Sequence, residues 1–192
     1  MRGIPAIIAL FAAFVVAAMP LHAEAGVPKG WTLQGSKPND YVVQMESEKG
    51  LHGRSVLIEA KDDSQGNATL MQAIEADHYR GKRIRFSGYI KGNGVKSWAG
   101  LWMRVNDMNN RVTVFDNTEK RGFHGDGDWK KMDIVFDVPR ESETISFGVL
   151  LSGAGKIWVS GLKFEVVGKS VPVTVKSFSH ELSKTPVNMD LE

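Results

Sequence analysis

Residues Trp98-Ala99-Gly100-Leu101-Trp102-Met103-Arg104-Val105 alternate two kinds of side chain. Ala99, Leu101, Met103 and Val105 form one set, and Trp98, Trp102 and Arg104 the other. A period of two puts the sets on opposite faces of a β-strand. The first set suits a core, and the second leaves two large rings and a guanidinium on the other side. Upstream, Ile84, Phe86 and Ile90 alternate with Arg83, Arg85, Ser87, Tyr89 and Lys91. Downstream, Met132, Ile134, Phe136 and Val138 repeat the pattern before Pro139, as do Ile145, Phe147, Val149 and Leu151 before Gly153-Ala154-Gly155.

Further short runs read as strands at 41–45, 55–60, 99–105, 111–115, 157–159 and 162–167. The segment 69–76 has helical propensity, but Tyr79-Arg80-Gly81-Lys82 makes a turn into the next strand, so it too reads as a strand. Gly92-Asn93-Gly94 reads as a hairpin turn. About nine strands at this spacing predict an all-β fold, a sandwich or jelly roll of two antiparallel sheets.

Composition narrows the function. The 192 residues include no cysteine, which excludes a disulfide framework, a thiolate zinc site and a thiol nucleophile. The net charge is +2, with 24 basic and 22 acidic residues spread along the chain, which argues against nucleic acid as a partner. Residues 1–25 read as an export signal: Arg2 precedes an apolar run from Ile4 to Ala18, and Ala23 and Ala25 form a small-residue cleavage pattern. The chain is therefore expected to be secreted or periplasmic, meeting a membrane only through that segment during export. The sandwich is expected over residues 26–168. Residues 169–192 form an extension, in which Val171 to Val175 could add an edge strand.

Enzymatic motifs are missing: there is no G-x-S-x-G elbow, no H-E-x-x-H and no phosphate loop. His52, His78, His124 and His180 lie far apart and read as loop residues. Asp126-Gly127-Asp128 could offer oxygens to calcium but lacks the extended spacing of a calcium loop, so no cofactor is expected.

The outward set around Trp102 carries the functional expectation. If the strand 83–91 shares its sheet, Arg85 and Tyr89 join Trp98, Trp102 and Arg104 on one side, with Asp116 and Asn117 at the rim. Flat rings beside hydrogen-bonding cations are what sugar recognition uses, since a pyranose stacks its apolar face and its hydroxyls pair at the edges. The alternative is that Trp102 packs under a loop or opposing sheet, with Arg104 held by a buried carboxylate such as Asp116. Trp31, Trp129 and Trp158 sit beside turns and read as packing residues.

The order Gly30-Trp31, Gly53-Arg54-Ser55, Leu70-Met71-Gln72, Tyr79 to Lys91, Trp129 and Gly155-Lys156-Ile157-Trp158-Val159 resembles the galactose-binding-like jelly rolls, which include many carbohydrate-binding modules. Trp98 to Val105, Phe115-Asp116-Asn117 and Phe147 to Gly153 look like a bacterial module that occurs alone, in tandem, or fused to AraC-type transcriptional regulators and S41-type peptidases. The resemblance runs from about Gly30 to Val167 and implies the fold more strongly than the ligand. This chain has Ser160-Gly161 where such modules carry an acidic pair, and neither DNA-binding helices nor a peptidase domain is evident. A regulator label would thus come from fused relatives. Pro186 to Glu192 is similar to the opening strand of these modules, so Val187 to Leu191 is expected to pair with a sheet edge; a frayed terminus or a lost repeat is the alternative. The expected function is an exported, non-catalytic carbohydrate-binding module, against a structural or interaction module whose partner is an envelope protein.

Overall fold

The structure, a computed structural model, describes residues 26–51 and 53–175. The expected export signal 1–25, His52, His180 and the expected strand Val187 to Leu191 lie outside the described residues. Among the described residues the alternating runs fold into nine strands: β1 (Thr32–Gln34), β2 (Tyr41–Gly50), β3 (Gly53–Ala60), β4 (Asn67–Glu75), β5 (Arg83–Asp107), β6 (Val112–Asn117), β7 (Phe123–Asp137), β8 (Ser142–Ser152) and β9 (Lys156–Val167). Every pairing is antiparallel. Among the described residues the helical elements are two single 3-10 turns, Pro38–Asp40 and Glu119–Arg121. No helix among them is long and apolar enough to cross a membrane.

The architecture turns on β5, which is 25 residues long and serves both layers of a sandwich. Its first part, Arg83 to Asn93, lies between β7 and β9. Its second part, Trp98 to Asp107, pairs with β8 along its length and with β6 from Trp102 to Asn106. The first layer continues from β9 through β3 to β2, and the second from β8 through β4 to β1. The layers meet through their rings: Phe86 of β5 and Phe147 of β8 are 5.0 Å apart between centroids, and Phe147 and Phe164 of β9 are 4.7 Å apart. Ile84, Ile90, Leu101, Met103, Val105, Ile134, Phe136, Ile145, Val149 and Leu151 are 0% exposed around them.

One expectation is corrected here. Gly92-Asn93-Gly94 is not a hairpin turn but an interior part of β5, with Gly92 opposite Gly127 and Ile157, and Asn93 opposite Lys156. The glycines bend the strand from one layer into the other. A Cβ on Gly92 would lie 2.4 Å from the Phe123 ring, and Gly94 has φ +64°, a left-handed value that other residues adopt at a cost.

Beyond β9, residues 168–175 return to the sandwich without forming a strand. Arg83 donates to the carbonyls of Lys169 and Val171 at 2.9 and 2.6 Å. Thr174 bonds the edge of β7 through its amide to Val135 O at 2.7 Å, and its hydroxyl accepts from Val135 N at 3.0 Å. The edge strand expected at Val171 to Val175 is thus reduced to one residue's pairing, because Pro172 and the bends on either side break any longer ladder.

Candidate functional site

The second part of β5 sorts its side chains as its alternation requires. Ala99, Leu101, Met103 and Val105 are fully buried, and Trp98, Trp102 and Arg104 are half-buried on the outer face. Register sets their neighbours: Trp102 lies between Gly148 of β8 and Asn117 of β6, and Arg104 between Ser146 and Phe115. Gly148 in turn faces Met71 of β4.

Trp102 is pinned. Its Nε1–H donates to Thr69 Oγ1 at 2.6 Å, and that hydroxyl donates onward to Val149 O at 3.1 Å. Thr69 sits on β4, two strand spacings or about 10 Å from β5. To close the bond the indole must lie down across β8, and Gly148 offers no side chain to stop it. The ring is thereby held over the sheet, half-buried and partly open to solvent. Trp98 packs similarly over Gly100, where an added Cβ would come within 3.2 Å of its ring and 2.0 Å of Thr118 Oγ1.

Arg104 differs from the other half-buried arginines among the described residues. Arg83 is paired with Asp137 at 2.9 Å and Arg85 with Glu165 at 2.9 Å. Arg104 has no carboxylate partner there, and its Nε is buried without any hydrogen-bond acceptor. Asn117 sends its amide to Glu119 Oε2 at 3.3 Å, so its position beside Trp102 is held from the loop side.

The other expected site residues lie elsewhere. Arg85 and Tyr89 point outward, as their alternation indicated, but from the first layer, on the far side of the core from Trp102. The bend at Gly92 to Gly94 separates the two groups. Asp116 is not at the rim: it faces inward opposite Met103, 8% exposed. It binds Arg121 through two contacts at 3.3 and 2.7 Å and accepts from Thr174 Oγ1 at 2.6 Å. It therefore does not hold Arg104. Phe115, read from the sequence as an ordinary strand residue, is 37% exposed beside Arg104 and extends the apolar part of the face.

A concavity of about 640 Å³ lies outside the first layer at the bend, lined by Lys91, Asn93, Asp126, Asp128, Lys156 and Trp158. Trp158, expected to be a packing residue, is half-buried there and donates Nε1–H to Glu46 at 2.7 Å. Its outward position was visible in the sequence, since Ile157 and Val159 flank it on the buried face. The charges in this cleft are spent internally. Asp128 pairs with Lys91 at 3.4 Å, and the Trp129 amide together with Lys91 holds its carboxyl below the usual range. Asp126 accepts from Gly94 N at 2.7 Å, and Lys156 reaches Glu59 at 3.6 Å. Asp126 and Asp128 are the residues weighed for calcium. Among the described residues no three His, Cys, Asp or Glu side chains gather as a metal site. His124 bonds the Ser97 carbonyl at 2.6 Å.

No family model matches the chain. YbfP of Bacillus subtilis (strain 168), an uncharacterized HTH-type transcriptional regulator, is 41% identical over 170 residues, covering 85% of this chain and 57% of that protein. The chain thus spans little more than half the length of the curated relative it matches. Among solved structures, the CBM22-1 xylan-binding domain of Paenibacillus barcinonensis Xyn10C superposes with a TM-score of 0.51 at 17% identity, over 75% of this chain and 90% of that one. The C-terminal family 22 carbohydrate-binding module of Clostridium thermocellum Xyn10B gives 0.52 at 14%, over 73% and 88%. The enzymatically active domain of the bacteriophage CBA120 tailspike protein 4 gives 0.54 at 13%, over 72% of this chain but 20% of that one. These likenesses establish the fold, a β-sandwich jelly roll.

Proposed function

We propose that this chain is an exported, non-catalytic module that binds carbohydrate on the outer face of its second layer, with Trp102 as the platform and Trp98, Arg104 and Asn117 around it. The observation that carries the reading is the pinned indole, half-buried on the outer face with its N–H tied to Thr69 of β4. A rigid ring loses little conformational freedom on binding, and its open part suits the C–H face of a pyranose. The arrangement supports binding rather than catalysis, since the described residues in register with Trp102 are Gly148 and Asn117, neither of them an acid or a base. Export rests on the leader 1–25. The regulator name belongs to a relative of which this chain spans 57%, and it is not carried over to this chain.

Affinity electrophoresis through gels containing single polysaccharides tests the reading. The chain should be retarded by at least one polysaccharide, and Trp102→Ala should migrate freely while melting within a few degrees of the parent. Retardation that survives Trp102→Ala, or none across neutral and acidic polysaccharides, overturns it and favours an envelope protein as partner.

A further inference from the structure

We infer that the glycan recognised at Trp102 is acidic, and that Arg104 receives its carboxylate. The inference rests on the binding face proposed above and narrows its ligand to uronate-bearing sugars. Its basis is an imbalance in the sheet. A partly desolvated guanidinium normally acquires a counter-charge, and Arg83 and Arg85 have theirs at 2.9 Å each. Arg104 is surrounded in register by Phe115 and Ser146, neither of which carries charge. The residues of the rows on either side are Trp102, Gly148 and Asn117, and Asn106, Thr144 and Val112, none of them charged. Asn106 is 3% exposed, and its Oδ1, like Arg104 Nε, lacks a partner. One outward run of β5 thus holds a buried donor and a buried acceptor without the hydrogen bonds such atoms normally make.

The missing partner is best supplied from outside. The guanidinium fork matches a carboxylate in two parallel bonds, a geometry an ammonium does not reproduce. Trp102 is the adjacent outward position on the same strand, about 7 Å away along the chain direction. A sugar ring stacked on the indole can therefore hold its carboxylate over Arg104. The cleft near Trp158 shows no such imbalance, because its lysines already meet Asp128 and Glu59.

Calorimetric titration with paired probes tests this: oligogalacturonate, glucuronoxylan oligosaccharides and alginate oligosaccharides, each beside its carboxyl-reduced form. At least one acidic form should bind about tenfold or more tighter than its reduced form, with the preference shrinking as salt rises. Arg104→Gln should abolish the preference, and Arg104→Lys should restore only part of it. The unliganded melting temperature gives a separate readout: an uncompensated cation predicts that Arg104→Gln melts no lower than the parent, whereas a structural role predicts a fall. Equal binding of acidic and reduced forms, both lost in Trp102→Ala, overturns the carboxylate inference alone. A preference for the acidic form that Arg104→Gln leaves intact overturns it too. No binding by any form overturns the carbohydrate reading itself.

Discussion

The Nε1–H of Trp102 donates to Thr69 Oγ1 at 2.6 Å, so the hydroxyl of one strand fixes the ring of a strand two positions away. This bond converts a half-buried tryptophan into an oriented surface. Thr69→Val keeps the shape of the side chain but removes the acceptor, leaving the indole N–H to seek water. We expect ligand affinity to fall by about 1 kcal/mol, roughly fivefold, with a similarly small loss of stability. A binding isotherm beside a thermal melt checks it, and unchanged affinity would show that the bond does not position the ring.

Gly148 makes that geometry possible, and any side chain there is crowded. A Cβ would sit 2.5 Å from Leu70 O and 2.9 Å from Met71 Cβ, and backbone cannot swing aside. Gly148→Ala should therefore cost about 1–3 kcal/mol by forcing β4 and β8 apart. Chemical denaturation gives the value, and a cost near zero would mean that the strands separate more easily than their paired register suggests.

Much of this was legible beforehand, and what was not follows one rule. Alternation names the face of a strand but not the layer that the strand belongs to. Arg85 and Tyr89 were correctly assigned to an outward face, yet the bend at Gly92 to Gly94 carries them to the opposite side of the core from Trp102. Those glycines carry the composition of a turn; whether a glycine pair reverses a strand or bends it depends on pairings 30 to 65 residues away, at Gly127 and Ile157. Asp116 misled for a related reason. Polar residues are expected outward, but here the alternation with Phe115 and Asn117 points it inward, where Arg121 and Thr174 satisfy it. The core of the fold needed no such long-range information, because the second part of β5 buried Leu101 and Met103, β8 buried Ile145 and Phe147, and β9 buried Ile157 and Val159, the sets that their period selected.

Thr118 is 0% exposed and supports the strand that carries both outward tryptophans. Its Oγ1 accepts from Leu101 N at 2.9 Å, and its amide donates to Leu101 O at 2.9 Å. Thr118→Val is nearly isosteric but leaves the Leu101 N–H buried without an acceptor, at about 1–3 kcal/mol. Thr118→Ser keeps the hydroxyl and should recover most of that loss. Equal stability of the valine and serine variants would show that the hydroxyl contributes nothing.

Acid should loosen the end of the sandwich at β7. Asp137 accepts from Arg83 at 3.0 and 2.9 Å and from Lys169 at 2.6 Å, and these cations lower its carboxyl from 3.8 to about 2. A carboxyl whose folded value is depressed stabilises the fold above its unfolded value, and that contribution disappears as pH falls from about 4 towards 2. Asp107, through the Arg111 amide and guanidinium, and Asp128, through the Trp129 amide and Lys91, are lowered too and act in the same direction. The melting temperature should decline steeply there, and less so in Asp137→Asn, which starts lower at pH 7. Parallel pH profiles for parent and variant would remove Asp137 from the account.

The segment after β9 forms part of the same structural unit. Thr174 joins two groups that the strands alone leave unmatched, the Val135 backbone on the edge of β7 and the inward carboxylate of Asp116. Val175 packs on the core, and the carbonyls of Lys169 and Val171 hold Arg83. Ending the chain after Gly168 removes all of these at once and exposes a strand edge. It also leaves Asp116, 8% exposed, with Arg121 as its partner. Buried groups that lose partners cost about 1–3 kcal/mol each, and each kcal/mol moves the midpoint by about 2–8 °C in domains of this size range. We therefore expect a fall of several degrees or more on truncation, and a smaller fall of the same sign for Thr174→Val, which keeps the chain and the Val175 contact. Differential scanning calorimetry on the parent and both variants separates the hydroxyl from the segment. A truncated chain that melts with the parent would place the boundary of the sandwich at Gly168 and leave the Asp116 contact without energetic weight.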